Sequence, residues 1–115
     1  MIHVGDTWWN GFYPFIDYST GGGIDGMIRA TKRNLSVVTD KTIIIPGHGP
    51  VGNRSGLSEY YDMLVAIRGN VSKFKTQGKS LAETIAARPT AAYDAKWGQF
   101  LMTPPIFTKL VYAGV

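Results

Sequence analysis

Cysteine is absent from the chain, which excludes disulfides, thiolate metal ligands and a cysteine nucleophile. It leaves the compartment open, because proteins of reducing and oxidising compartments alike do without it. Histidine is almost as scarce, with only His3 and His48. No run of about eighteen apolar residues occurs, so no membrane-spanning helix is expected. The N-terminus lacks a basic stretch followed by an apolar one, so no signal peptide is expected there. Localisation stays unknown on these grounds. No Gly-x-Ser-x-Gly elbow is present, and nothing supports nucleophilic catalysis by serine.

What is present suits one domain spanning residues 1–115 with a core of its own. The net charge is +4, a mild basic excess. Its densest cluster, Lys73, Lys75 and Lys79, falls near the end of a predicted helix, where cations complement the helix dipole. No nucleic-acid partner is expected from it. Asn34, Asn53 and Asn70 each begin a glycosylation sequon, and two of the three fall in predicted helices, so we read them as chance.

The most informative stretch is Thr42 to Pro50, Thr-Ile-Ile-Ile-Pro-Gly-His-Gly-Pro. Its β-branched run predicts a strand over Thr42 to Ile45. Pro46, which has no N–H for a ladder, is expected to stop it. Gly47 and Gly49 admit backbone angles that other residues avoid, so a rigid turn should hold the His48 imidazole in a fixed direction. The plain reading of one such histidine is a turn residue bonded to a nearby carbonyl.

Elsewhere, Ile2 to Val4 reads as a short strand ending at Gly5-Asp6. The segment from Thr7 to Gly22 is aromatic, with Trp8, Trp9, Phe12, Tyr13, Phe15 and Tyr18. A loop of that length is usually functional or packed under something else. Trp8, Trp9, Phe12 and Tyr13 are candidate substrate-binding residues lining a cleft; the alternative is that they cover the edge of the core. Thr20 to Gly23 is a tight glycine-rich entry to a helix over Ile24 to Val38, and no Gly-Lys-Ser/Thr follows to make it a phosphate loop. A helix over Leu57 to Thr76 carries the strongest apolar period, through Leu57, Tyr60, Leu64, Ile67, Val71 and Phe74. Gly78 suits its C-terminal turn. Ser80 to Glu83 is a capping box opening a short helix that ends near Arg88-Pro89. Trp97 to Pro105 reads as irregular, and Ile106 to Tyr112 as a final helix or strand.

This order predicts an α/β fold, a small mixed sheet with helices over one face. Two strands make a poor self-contained sheet, so its edges and other face need a cover. Asp6 and His48 both follow strand ends, where ligand sites of α/β folds gather. If the strands are neighbours, a carboxylate oxygen and an imidazole nitrogen share a cleft, a pairing that suits zinc. His3 lies three positions before Asp6, and strand alternation puts it on the opposite face, so a structural role is expected for it.

Taken together, His3-Val4-Gly5-Asp6-Thr7, Asn10-Gly11-Phe12-Tyr13-Pro14-Phe15-Ile16-Asp17, Gly22-Gly23 and Ile45-Pro46-Gly47-His48-Gly49-Pro50 resemble the C-terminal half of metallo-β-lactamase-fold hydrolases. The likeness covers about Ile2 to Glu83. It implies half of an αββα sandwich and a zinc cofactor, with Asp6 bridging two metals and His48 binding the second. It also implies hydrolysis of an ester, thioester or lactam bond. The Asn10 to Asp17 segment departs from the loop of glyoxalase II relatives, which argues against a glutathione thioester. The family's His-x-His-x-Asp-His motif is missing, and two ligands fall short of the three that a catalytic zinc needs. The resemblance therefore implies a chain inactive by itself, completed by a missing N-terminal half. The alternative is a non-catalytic, self-associating fragment or small-ligand-binding module. A homodimer that pools two copies of Asp6 and His48 into a four-ligand site is a third arrangement.

Overall fold

The computed structural model describes residues 1–16, 23–99 and 102–115. Two strands and five helices follow one another: β1 (Ile2–Trp9), α1 (Ile24–Val37), β2 (Ile44–His48), α2 (Arg54–Thr76), α3 (Leu81–Ala86), α4 (Asp94–Trp97) and α5 (Pro104–Ala113). The fold is mixed α/β. Among the described residues β1 and β2 form a two-stranded parallel sheet. The expected mixed sheet reduces to this pair plus one isolated antiparallel bridge between Ile44 and Gly52. Tyr18 and the Thr20 to Gly22 entry lie outside the described residues.

Both strands differ from their sequence-based bounds for a physical reason. β1 continues past Val4 because Gly5 takes φ +58°, a left-handed angle that glycine adopts without penalty, and the register shifts there. Pro46 does not stop β2. It pairs with Gly5 at that irregularity, where a missing N–H is tolerated. Alternation in β2 then buries Ile44 and Pro46 and leaves Ile45 between them half-buried.

The core forms where α2 meets the sheet and the other helices. Of the apolar period, Leu57, Tyr60, Leu64, Ile67 and Val71 are fully buried and Met63 joins them, while Phe74 at its end is half-buried. α2 starts earlier than the period alone indicates, because the Asn53 side chain accepts the Gly56 N–H and caps it. Arg68 ties α2 to Asp25 of α1 at 2.7 Å. Ser80 and Glu83 form the expected capping box of α3. The stretch expected to be irregular, Trp97 to Pro105, begins at the last residue of α4 and ends inside the first turn of α5. The last segment is a helix whose first positions are Pro104 and Pro105, where a missing N–H costs nothing. Of the lysine cluster, Lys75 is engaged by the chain itself: its ammonium donates to the Tyr112 and Val115 carbonyls at the end of α5. Among the described residues no helix is long and apolar enough to cross a membrane.

Candidate functional site

The parallel ladder delivers the C-terminal ends of β1 and β2 to the same end of the sheet. Its register pairs Gly5 with Pro46 and Trp9 with His48. Asp6 follows the Gly5 irregularity and His48 closes β2. Their side chains meet, His48 Nε2 lying 3.4 Å from Asp6 Oδ1. Both are open to solvent, with 44% of the imidazole and 76% of the carboxylate side chain exposed. The sequence-based pairing of these two residues is thus a contact in the structure. Asp6 sits within the extended strand rather than beyond its end.

Trp9 fixes the imidazole, and Asn10 fixes the loop that carries it. The Trp9 indole stacks on the imidazole, ring centres 3.7 Å apart and planes 23° from parallel. Trp9 is itself held by its indole N–H, which donates to the Asp6 carbonyl at 3.1 Å. The Asn10 backbone N–H donates to the His48 carbonyl at 2.9 Å, and the Asn10 side-chain amide donates to the Pro50 carbonyl at 2.8 Å. Asn10 braces the loop at His48 and again at Pro50. Nothing in its local sequence marks that role, since it depends on a partner loop distant in the chain.

α1 anchors β1 next to Asp6. Thr31 is fully buried, and the Asn34 amide donates to the Thr7 hydroxyl at 3.0 Å. That hydroxyl in turn donates to the Val4 carbonyl at 2.6 Å. His3 is exposed, and its Nδ1 accepts the Gly5 N–H at 3.0 Å. Its ring is therefore engaged locally at the bend of β1.

The aromatics divide. Trp8 and Tyr13 belong to the core, at 0% and 1% exposure. Tyr13 stacks on Phe107 at 4.5 Å and its hydroxyl donates to Asp94 Oδ1 at 2.9 Å. Burial, and then the Asp94 carboxylate, push the Tyr13 hydroxyl well above the ordinary phenol range. Phe12 is half-buried. Trp9 is the member of the group that stands against His48.

The His48 loop also spells Gly-x-Gly-x-x-Gly across Gly47, Gly49 and Gly52, the spacing of a dinucleotide-binding turn between a strand and a helix. In such a turn the glycines open room for a pyrophosphate. Here the chain fills that room. A Cβ at Gly47 would meet Asp6, one at Gly49 would meet the Asn10 carbonyl, and one at Gly52 would lie 2.5 Å from the Trp8 ring. The glycines serve close packing of β1 on the loop.

Zinc held by nitrogen and oxygen donors at about 2.0–2.2 Å in a tetrahedron sets neighbouring donors about 3.3–3.6 Å apart. The Asp6–His48 spacing matches that edge, so the two residues fit as a pair of ligands. Among the described residues no group of three or more potential ligands is assembled, so the pair falls short of a full set. No family model matches the sequence, and no curated protein does either.

Proposed function

We propose that this chain carries one part of a zinc-dependent hydrolytic centre of the metallo-β-lactamase type. Asp6 and His48 are two of the ligands, and the rest of the set comes from a partner segment. The bond cleaved is an ester, thioester or lactam, as the sequence resemblance implies. The observation that supports this reading is the separation of Asp6 Oδ1 and His48 Nε2, 3.4 Å, at one end of the parallel ladder. A charge-assisted hydrogen bond between the same groups closes to about 2.7–2.9 Å. The exposure of both side chains leaves their outer faces accessible to further ligands.

A bound zinc lowers the pKa of a coordinated water and so supplies hydroxide near neutral pH. The chain's own residues have simpler tasks. Asp6 and His48 hold the ion. Trp9 keeps the imidazole plane fixed, and Asn10 keeps the loop from spreading. Because two ligands do not make a catalytic site, the chain by itself is expected to be inactive.

Zinc titration of the purified chain by calorimetry tests the reading, beside His48→Ala, Asp6→Asn and His3→Ala. The expected result is weak binding lost in the first two variants and kept in the third. Binding that survives His48→Ala, or no binding at all, overturns the proposal. A stoichiometry of one zinc to two chains would identify a second copy as the source of the missing ligands.

A further inference from the structure

Arg88 carries the one positive φ, +53°, among the described non-glycine residues. It directly follows Ala87, the C-terminal cap of α3, and its N–H donates to the Ile85 carbonyl at 3.1 Å. This is the position after a helix where glycine relieves the left-handed angle. The next residue, Pro89, narrows the choice further, since residues before proline favour extended backbone with negative φ. An arginine here works against the local backbone twice over. Residues held in such angles concentrate at ligand clamps and other functional positions.

Arg88 lies between two cavities of about 320 and 290 Å³. In the larger, Asp94 already accepts the Tyr13 hydroxyl. The smaller is lined by Asn70, Lys73, Phe74, Arg88, Pro89 and Ala91, among others, and its lining contains no acidic side chain. The Asn70 amide donates to the Pro89 carbonyl at 3.0 Å, which fixes the 87–92 turn against α2. No ion pair engages Lys73 among the described residues. Arg88 is only loosely paired, its Nη2 standing 3.7 Å from Asp94 Oδ2 with 73% of the side chain exposed.

We propose that this cleft between α2 and the 87–92 turn binds a small organic monocarboxylate, its charge held by Arg88 and Lys73 and its apolar body against Phe74 and Pro89. The charge balance selects a monoanion. Arg88 and Lys73 contribute two positive charges and Asp94 one negative, leaving a single positive charge for a ligand to neutralise. The planar guanidinium matches a carboxylate through paired N–H groups. The apolar wall excludes a bare inorganic ion as the best fit, and the volume sits at the lower end of small-molecule sites.

The probe is sodium benzoate, followed by amide chemical shifts of the full chain, with benzylamine and inorganic phosphate as charge and shape controls. Saturable shifts at residues 70–74 and 87–92 are expected with benzoate and not with benzylamine, and phosphate is expected to bind more weakly. Arg88→Gly and Lys73→Ala should each weaken benzoate about tenfold or more, the loss of one charge-assisted contact. Arg88→Gly should also raise the melting temperature by a few degrees, since it relieves the left-handed angle. Arg88→Lys keeps the charge and the angle and should retain part of the binding. The proposal is overturned if benzoate shifts are absent or equal in the variants. Benzylamine binding as well as benzoate, or phosphate binding more tightly, does the same. A lower melting temperature for Arg88→Gly would show that the fold itself requires the arginine, and it overturns the proposal as well.

Discussion

Gly47 lies against Asp6 so closely that no side chain fits between them. A Cβ at position 47 would overlap the Asp6 carboxylate and come within 2.8 Å of the Asp6 nitrogen and the Gly5 carbonyl carbon. Two of those atoms are backbone and cannot rotate away. This close approach is what brings the next residue, His48, within reach of the Asp6 carboxylate.

Gly47→Ala is therefore expected to push β1 and β2 apart at their functional end. Overpacking of this kind costs about 1–3 kcal/mol. Urea unfolding should show a lower midpoint with an unchanged slope. Zinc binding should weaken in parallel. A variant as stable as the parent would mean that the strands yield easily here.

Trp9→Ala removes the ring that stacks on His48. Trp9 is half-buried, so the stacking loss is about 0.5–1.5 kcal/mol, with a further cost for the apolar area exposed. The His48 ring protons should move downfield once the indole no longer shields them. No change in those resonances would place the imidazole elsewhere in solution.

Tyr13 makes stability depend on alkaline pH. The fold raises its hydroxyl pKa above the ordinary 10.0, first by burial and then through Asp94. The folded state thus keeps a proton that the unfolded chain gives up. Its contribution is fully present below pH 10 and is lost as pH rises beyond that value. Tyr60, raised by burial, acts with the same sign. Tyr13→Phe should cost about 1–3 kcal/mol at neutral pH, because the Asp94 carboxylate loses a donor. The variant should also show a shallower, though not flat, decline between pH 9 and about 11. Equilibrium unfolding across that range checks both effects.

The Asp25–Arg68 pair links α1 to α2 with side chains 46% and 38% exposed. The Arg68 hydrogen bond holds the Asp25 carboxyl below its usual range. Its contribution is present above the unfolded carboxyl pKa and is lost as pH falls through the folded one. Solvent screens a pair this open, so Asp25→Asn should cost only about 0–1 kcal/mol, and less at high salt. Unfolding midpoints at low and high ionic strength give the comparison.

Local chemistry made part of this molecule legible in its sequence. The period of α2, the Ser80 capping box and the Asp6–His48 pairing follow from spacings of a few residues, or from two strand ends that parallel neighbours must bring together. What the sequence hid depends on contacts across the chain. Pro46 reads as a terminator until Gly5 is known to stand opposite it. Trp8, Trp9 and Tyr13 read alike as aromatics of one loop. Their division between core and site depends on Gly52, His48 and Asp94, partners remote in sequence. Asn10 lies in the segment that carries the resemblance, but its bracing role is not legible there, because its two bonds to the His48 loop exist only after the strands have paired. Pro104 and Pro105 discourage a helix in most positions, yet they open α5 because the first turn has no N–H to lose.

The parallel ladder also has a consequence for how this chain tolerates change. The distance between Asp6 and His48 is set by rungs between neighbouring strands, and the turn at Asp40-Lys41 lies on the return path between them. Lengthening that turn by a few residues adds little closure entropy and leaves the rungs untouched. Slipping one strand by one residue, with no change in length at all, would turn its ligand to the opposite face from the other strand's. The site is thus tolerant of insertions in its connection and intolerant of any sliding of one strand along the other.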